Sequence, residues 1–403
     1  MNQKTLTILF VATLVVGGVA ALKLSRDDAS VRSEAPGAEL LPELKNSINN
    51  VASIKLERKD GSVTIVRQEK GWGMAEKNGY PVDAEAVKQT LLVLSDLKPL
   101  EQKTDDPARY EKLGVQEPGT EGSTSTLVTI QDKAGKELAK LIVGKQSEGK
   151  GGLPSGNTYV RRAGDKVSWL AKGNPALKEK SSEWLQKQII EVKRDRLRSA
   201  EVRHADGEVV HVERAKPDDA NFELSGIPEG QELSYPSAAG SITSALEYLN
   251  LEDVLPAEKV DFTQGAGPTS EFRTFDGLKV TVQTKEDGEK TYARFSVVYD
   301  APPQVGPTPE APAADPAKPP EPKPPAPKTP EEVQKEASEL EARLSKWVYQ
   351  IPAYNKAFFT KHMKDMLKAK TPPPAPAPAE GAPPAEGSTP PPPAEKPADE
   401  KPH

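Results

Sequence analysis

The sequence predicts an α+β fold in which two tandem related repeats of antiparallel hairpins and packing helices follow one transmembrane helix. Three observations predict it. They are an uncharged N-terminal run, an order of hairpins and helices that recurs, and two proline-rich stretches (301–330 and 371–403) outside which the composition is that of an ordinary globular protein. With 403 residues, the chain is long enough for two or three domains.

The N-terminal run, Thr5–Leu22, contains no charged residue. A helix of this length reaches ~27 Å, the short end of a membrane span. We therefore expect a single-pass membrane anchor through residues 5–22, with the short N-terminal tail inside and the bulk of the chain outside. The alternative is a signal peptide cleaved near Gly18-Val-Ala20, which would release the exported protein. The run exceeds the usual hydrophobic region of a signal peptide, which favours the anchor.

The recurring order begins with a hairpin. Val51–Val66 and Leu197–Val212 both alternate in polarity around an Asp-Gly pair, which favours a two-residue turn. The hairpin is followed in each half by the same kinds of segment, in the same order. These are a third strand (Trp72-Gly-Met74, Phe222-Glu-Leu224), a Tyr-Pro pair (Tyr80-Pro81, Tyr235-Pro236), a helix with an apolar face (Val87, Leu91, Leu94 and Leu97; Ile242, Leu246 and Leu249), and two more strands (Thr126–Gln131 and Leu138–Val143; Leu278–Gln283 and Thr291–Val298).

Helix ends are also predicted. Asp83 and Ser237 are expected to be the N-caps of the two central helices. Each half also ends in a polar helical stretch leading to a tryptophan, from Pro175 towards Trp184 and from Glu331 towards Trp347.

The proline-rich stretches are built largely from Pro, Ala, Glu and Lys, and we expect them to be disordered. They could engage a partner or serve only as solubilising segments, and composition favours the second. The predicted organisation in chain order is an anchor or signal peptide (1–24), a linker (25–44), repeat 1 (45–195), repeat 2 (196–300), a proline-rich insertion (301–330), a helical segment completing repeat 2 (331–370) and a proline-rich tail (371–403).

Composition excludes several classes of function. The net charge of −6 and the lack of a long basic run argue against nucleic-acid binding. The chain has no cysteine, which excludes disulfides and thiolate metal sites. We find no nucleophile elbow, metalloprotease helix or phosphate-binding loop, so we expect a non-enzymatic protein with no cofactor.

Four residues are weak binding candidates: Trp72, Trp169, His204 and His211. With a two-residue turn, His204 would face Val209 and Val202 would face His211, which would bring the two histidines together on one sheet face. Ordinary surface histidines are the simpler interpretation. Together with a carboxylate, this pair could serve an envelope hydrolase. The tryptophans and a mobile Gly149–Gly156 loop could serve a cell-wall or polysaccharide binding module, although core packing explains the tryptophans better.

Several segments of the first half occur in an order that resembles a bacterial domain-of-unknown-function family, numbered 4340, over roughly residues 45–195. They are Tyr80-Pro-Val-Asp83, Tyr110-Glu-Lys-Leu-Gly-Val-Gln-Glu-Pro118, Leu141-Ile-Val-Gly144, Tyr159-Val-Arg161 and Trp184. The resemblance implies a single-anchor envelope protein of the bacterial inner membrane with its bulk facing the periplasm, or a periplasmic protein if the N-terminal segment is a cleaved signal. Such proteins are often encoded beside gliding-motility-type ABC transporter components. The resemblance also implies an accessory or interaction module with those components as partners, and it supplies no catalytic residues and no small-molecule ligand. The proline-rich insertion and tail depart from the family pattern.

Overall fold

The computed structural model describes residues 39–149, 152–302 and 328–370. The predicted anchor, most of the proline-rich insertion and the proline-rich tail lie outside these ranges. Among the described residues, no helix is long and apolar enough to cross a membrane. The described fold is a mixed α+β architecture dominated by antiparallel sheets, as the sequence predicts.

The first half forms a nine-stranded sheet, sheet 1, whose strand order is β4-β3-β2-β1-β6-β7-β8-β9-β5. Its strands are β1 (Val51–Arg58), β2 (Gly61–Gln68), β3 (Gly71–Met74), β4 (Tyr80–Pro81), β5 (Lys98–Thr104), β6 (Thr126–Asp132), β7 (Glu137–Glu148), β8 (Pro154–Arg162) and β9 (Ser168–Lys172).

The second half forms an eight-stranded sheet, sheet 2. The remaining strands are β10 (Gln188–Ile190), β11 (Leu197–Arg203), β12 (Val209–Glu213), β13 (Glu223–Leu224), β14 (Gln231–Leu233), β15 (Leu249–Asn250), β16 (Asp253–Pro256), β17 (Ala266–Thr274), β18 (Leu278–Asp287), β19 (Lys290–Tyr299), β20 (Trp347–Ile351) and β21 (Leu367–Ala369). The order in sheet 2 is β13-β12-β11-β17-β18-β19-β20-β16, and the pairs β10-β15 and β14-β21 form two small sheets.

Among the described residues, the α-helices are 4 to 15 residues long. The α-helices are α1 (Pro42–Ser47), α2 (Ala84–Ser95), α3 (Tyr110–Leu113), α4 (Pro330–Leu344) and α5 (Ala353–Phe359). The 3₁₀ helices are Ile48–Asn50, Ala75–Lys77, Pro107–Arg109, Ser181–Trp184, Arg194–Arg196, Ala238–Leu246, Ala257–Lys259 and Met363–Met366.

The two large sheets correspond strand for strand, apart from the extra edge strand β4. In both, a three-strand meander pairs through its first strand with a four-strand meander, and a strand from the region that follows the central helix, β5 or β16, closes the far edge. The pairing irregularities also correspond. β1 shifts register against β6 between Val51 and Ser53, and β11 shifts against β17 between Leu197 and Ser199.

Local signals in the sequence locate many of these elements. The Asp83 side chain caps α2 by accepting hydrogen bonds from the backbone N–H groups of Glu85 and Ala86. The four predicted strands after the central helices are present as β6, β7, β18 and β19, and the helix predicted before Trp347 is present as α4.

Two local predictions are wrong. The segment from Pro175 to Lys180 is irregular, and only Ser181–Trp184 forms a 3₁₀ turn. The second central helix, Ala238–Leu246, is 3₁₀ throughout, and Ser237 precedes it without a side-chain capping bond. Without that bond, the first turn lacks the side-chain acceptor that Asp83 gives to α2.

Both sheets contribute to one hydrophobic core. It runs from Leu40 and Leu44 near the start of the described chain to Phe359 and Met366 near its end. Because Leu40, Leu41 and Leu44 are buried in this core, the folded body begins before the predicted linker ends at residue 44.

Candidate functional site

Two histidines and a carboxylate meet where the β11–β12 connection contacts the C-terminal segment. The ligand atoms of His204, Glu208 and His362 all lie within 4.8 Å of one another. The imidazole rings of His204 and His362 stack with centroids 3.9 Å apart and planes 15° from parallel. We call these three side chains the His–Glu cluster.

The β11–β12 connection positions two members of this cluster. The backbone N–H of His204 donates to the carbonyl oxygen of Glu208 at 2.9 Å, and Gly207 N–H donates to His204 oxygen at 3.1 Å. Gly207 adopts a φ of +92°, which glycine reaches at little cost. The Asp206 carboxylate accepts from Glu208 N–H at 3.0 Å, so the loop closes on itself.

The C-terminal segment supplies the third member. His362 precedes the 3₁₀ helix Met363–Met366, and its backbone N–H donates to Asp365 Oδ2 at 3.0 Å. Glu208 bonds the start of that helix twice, because Oε1 accepts from Met363 N–H at 2.9 Å and Oε2 pairs with His362 Nδ1. His204 Nε2 lies 3.1 Å from the Lys361 carbonyl oxygen.

These contacts have an electrostatic consequence. The hydrogen bond with His362, helped by the Met363 N–H, holds the pKa of the Glu208 carboxyl below its usual value despite partial burial. The pKa of Asp206 is also lowered, chiefly by the backbone N–H of Glu208. Glu208 is therefore an anion at neutral pH, which suits it to bind a cation.

The predicted pairing of His204 with His211 is wrong. The strands pair Arg203 with Val209 and Glu201 with His211, so the connection spans residues 204–208 and is longer than two residues. A one-residue change of register alters every cross-strand partner. His211 instead lies near Glu201 and Glu213, at 3.3 and 3.6 Å.

His211 lines a cavity of about 230 Å³ at the ends of β11, β12, β17 and β18. Charged side chains in its wall pair with neighbouring carboxylates. Arg198 contacts Glu213 at 2.7 Å, and Arg273 contacts Glu271 at 2.7 Å. The cavity therefore offers little uncompensated charge to a ligand.

The two candidate tryptophans lie inside the protein. Trp72 is 9% exposed with the Arg67 guanidinium 4.5 Å from its ring centroid, and Trp169 is 8% exposed. Because both rings are buried, the observation that motivated a carbohydrate-binding alternative is lost. Residues 150 and 151 of the Gly149–Gly156 loop lie outside the described residues.

Sequence reasoning did not find Glu208 and His362 as site residues. His362 is separated from the hairpin by the whole of the second half and by the proline-rich insertion, so no local spacing relates the two. The residues come together only in the folded protein, where the C-terminal segment docks and brings Lys361–Met363 onto the β11–β12 connection.

The Tyr110–Pro118 segment covers the face of sheet 1 opposite the main core. Tyr110, Val115 and Ile142 form a small hydrophobic cluster there, whereas Leu141 and Val143 on the same strand point into the main core. Arg161 joins the segment to β8. This side chain is 4% exposed and lies 4.6 Å from the Tyr110 ring centroid.

Residues 72–267 match the family model described as Domain of unknown function (DUF4340). The DUF4340 match runs from β3 to β17 and includes the Tyr110–Pro118 segment, which supports the resemblance that the sequence indicates. No curated protein and no solved structure was found to match the chain.

Within the DUF4340 match, Arg161 organises the backbone of this segment. Its guanidinium donates to the Val115 carbonyl oxygen at 3.1 Å, to the Asp165 carbonyl oxygen at 2.9 Å and to the Glu117 carboxylate at 2.7 Å. The Tyr110–Pro118 segment, which carries the resemblance most specifically, is therefore a structural part of the fold.

Proposed function

We propose that the protein is a non-enzymatic interaction module held at the bacterial inner membrane, with its folded body in the periplasm and an ABC-type transporter as its partner. One observation carries this proposal. Among the described residues, Leu40 already belongs to the hydrophobic core, and it follows the uncharged run Thr5–Leu22 closely in sequence.

Chain length limits how far the body can lie from an anchor. Residues 23–39 could span at most ~60 Å even if fully extended, because each residue adds no more than ~3.6 Å. An anchor in residues 5–22 would therefore keep the body within reach of neighbouring membrane proteins.

The use of buried charge supports a binding role over catalysis. Among the described residues, the charged side chains that are almost fully buried are Arg161 and Arg214. Arg214 donates to the carbonyl oxygens of Leu197, Arg194 and Asp195 at 2.9, 2.8 and 2.5 Å. Both arginines thus hold backbone in place, whereas catalytic groups are typically buried titratable side chains in a cleft.

We also propose that the two halves are repeats of one unit. The shared strand order and the matching register shifts near Ser53 and Ser199 support a duplication. A duplicated body would present two related surfaces to a partner. The choice of an ABC transporter as that partner rests on the family resemblance.

Affinity capture from gently solubilised membranes tests the proposal. The full-length chain should recover a transporter permease or ATPase in stoichiometric amounts, identified by mass spectrometry. A matched control replaces residues 1–24 with an unrelated membrane anchor, and it should recover the same subunits because the folded body makes the contact.

Two results would count against this function. The first is recovery of the anchored chain alone after capture under several mild conditions. The second is a soluble protein that has lost its first ~20 residues, which would indicate a cleaved export signal.

A further inference from the structure

The His–Glu cluster joins two parts of the chain that are distant in sequence. His204 and Glu208 belong to the β11–β12 connection, and His362 belongs to the segment that follows β20. We propose that His204, Glu208 and His362 bind a zinc-type divalent metal ion that fastens the C-terminal segment, residues 353–370, to sheet 2.

The donor types select the class of metal. Two imidazoles and one carboxylate suit Zn²⁺ and similar transition metals, whereas Ca²⁺ and Mg²⁺ take oxygen ligands almost exclusively. A water molecule would complete a four-coordinate site.

One nitrogen of each ring can face the metal. If His204 Nε2–H donates to the Lys361 carbonyl oxygen, Nδ1 keeps its lone pair. A backbone carbonyl that accepts from the second nitrogen of a histidine is a usual way in which proteins orient a metal-binding imidazole. His362 Nδ1 and Glu208 Oε2 face each other, and an ion that displaces the proton between them would take both atoms as ligands. The other Glu208 oxygen would keep its hydrogen bond from Met363 N–H at 2.9 Å.

Metal binding requires a modest rearrangement. Tetrahedral ligands at zinc distances lie about 3.3 Å apart, compared with separations of up to 4.8 Å in the cluster. The lone pairs of imidazole lie in the ring plane, so two rings stacked within 15° cannot aim at one ion. The rings must splay apart on binding, and their partial exposure leaves room for this rotation.

The position of the cluster gives the metal a mechanical role. The C-terminal segment is already held by β21, which pairs with β14, and by Ser270 Oγ, which donates to Phe359 oxygen. A metal bridging His204 and His362 adds a link between this segment and the hairpin. Because only the docked arrangement offers all three ligands, metal binding stabilises that arrangement.

The test uses the full-length chain without a polyhistidine tag, treated with chelator and then titrated with Zn²⁺ in a calorimeter. We expect one Zn²⁺ per chain and at least tenfold weaker binding by His204→Ala, Glu208→Gln and His362→Ala. His211→Ala is the matched control, because His211 lies on the same hairpin with carboxylate neighbours, and it should bind like the wild type.

Two further readouts separate metal binding from a fold defect. Co²⁺ should give visible absorption bands in the wild type and in His211→Ala that are lost in His362→Ala. Zn²⁺ should slow hydrogen exchange across residues 353–370 in the wild type and in His211→Ala, but not in His362→Ala. Circular dichroism and melting in chelator establish that each variant folds. If His362→Ala does not fold, Glu208→Gln takes its place, since the amide oxygen can still accept from Met363 N–H.

The proposal is overturned if the wild type binds no Zn²⁺. It is also overturned if folded His362→Ala and folded Glu208→Gln bind Zn²⁺ as tightly as the wild type, because the ion would then occupy other groups.

Discussion

At the scale of single residues, close backbone approach explains the glycine in the Leu141-Ile-Val-Gly144 segment of the family resemblance without appeal to function. Gly144 on β7 lies directly under the end of α3. A Cβ at this position would clash with the Leu113 carbonyl oxygen and would lie 2.8 Å from the Gly114 carbonyl oxygen. Glycine here lets the Tyr110–Pro118 segment lie flat on sheet 1.

We therefore expect Gly144→Ala to destabilise the protein by about 1–3 kcal/mol, the usual cost of overpacking a fixed backbone contact. The measurement is the free energy of unfolding from urea denaturation. Gly119→Ala is the control, because no atom lies within 4 Å of a Cβ at Gly119. Equal unfolding midpoints for the two variants would show that the contact is not tight.

Residue-scale signals predict local chemistry well and long-range chemistry poorly. Asp83 can be assigned as a cap because capping depends on the next three residues. The partner of His204 cannot be assigned in this way. Its neighbour His362 arrives through the docking of a segment beyond the proline-rich insertion, and the length of the 204–208 connection decides which side chains face each other.

At the scale of elements, one ion cluster holds α4 against sheet 2. Arg196 bonds Glu336 on α4 through both guanidinium N–H₂ groups, at 2.8 and 2.6 Å, and bonds Asp276 in the β17–β18 turn at 2.7 Å. These side chains are only 11–23% exposed. Bidentate geometry and partial burial make this cluster stronger than an ordinary surface pair.

Glu336→Gln should lower the free energy of unfolding by about 2 kcal/mol, because the amide keeps one acceptor but loses the charge that Arg196 requires. Chemical denaturation measures the change. Glu339→Gln is the matched control on the exposed side of the same helix, and it should lie within ~0.5 kcal/mol of the wild type. If both variants unfold at the same denaturant concentration, Arg196 does not hold α4.

The same cluster predicts a pH dependence. Burial raises the pKa of Glu336, but hydrogen bonds and charge from Arg196 and Lys328 outweigh it, so the folded pKa lies below the unfolded value. The contribution of Glu336 to stability is therefore complete above its unfolded pKa of ~4.3 and is lost as pH falls through the folded pKa. The stability difference between wild type and Glu336→Gln should be constant from pH 7 to pH 6 and should shrink below about pH 4. A difference that grows on acidification would contradict this sign.

Element-scale predictions succeed where periodicity is strong. Alternation and turn residues locate β1, β2, β6, β7, β18 and β19, and spacing of apolar residues locates α2. They fail at Pro175–Lys180, where a polar stretch of good helix formers lacks an apolar face to bury. The order of strands within a sheet cannot be predicted from such local signals, because β5 and β16 take their edge positions by pairing with β9 and β20, which are distant in sequence.

At the scale of the molecule, aromatic contacts join the two halves. The Tyr80 ring packs edge-on against Trp347 at 5.2 Å and against Tyr349 at 6.2 Å between centroids. Lys77 pairs with Asp253 beside them at 2.7 Å. Burial raises the pKa of both the Tyr80 and the Tyr349 hydroxyl, so both remain neutral at physiological pH. The halves thus share one interior, and a partner would meet them as one body.

The central claim is that this body acts by contacting a membrane partner. Cross-linking of intact membranes through lysines, followed by mass spectrometry, tests it most directly because no detergent intervenes. We predict links from exposed lysines of residues 39–370 to a transporter permease or ATPase subunit. Links confined to the chain itself, at levels where its internal pairs are readily detected, would contradict the claim.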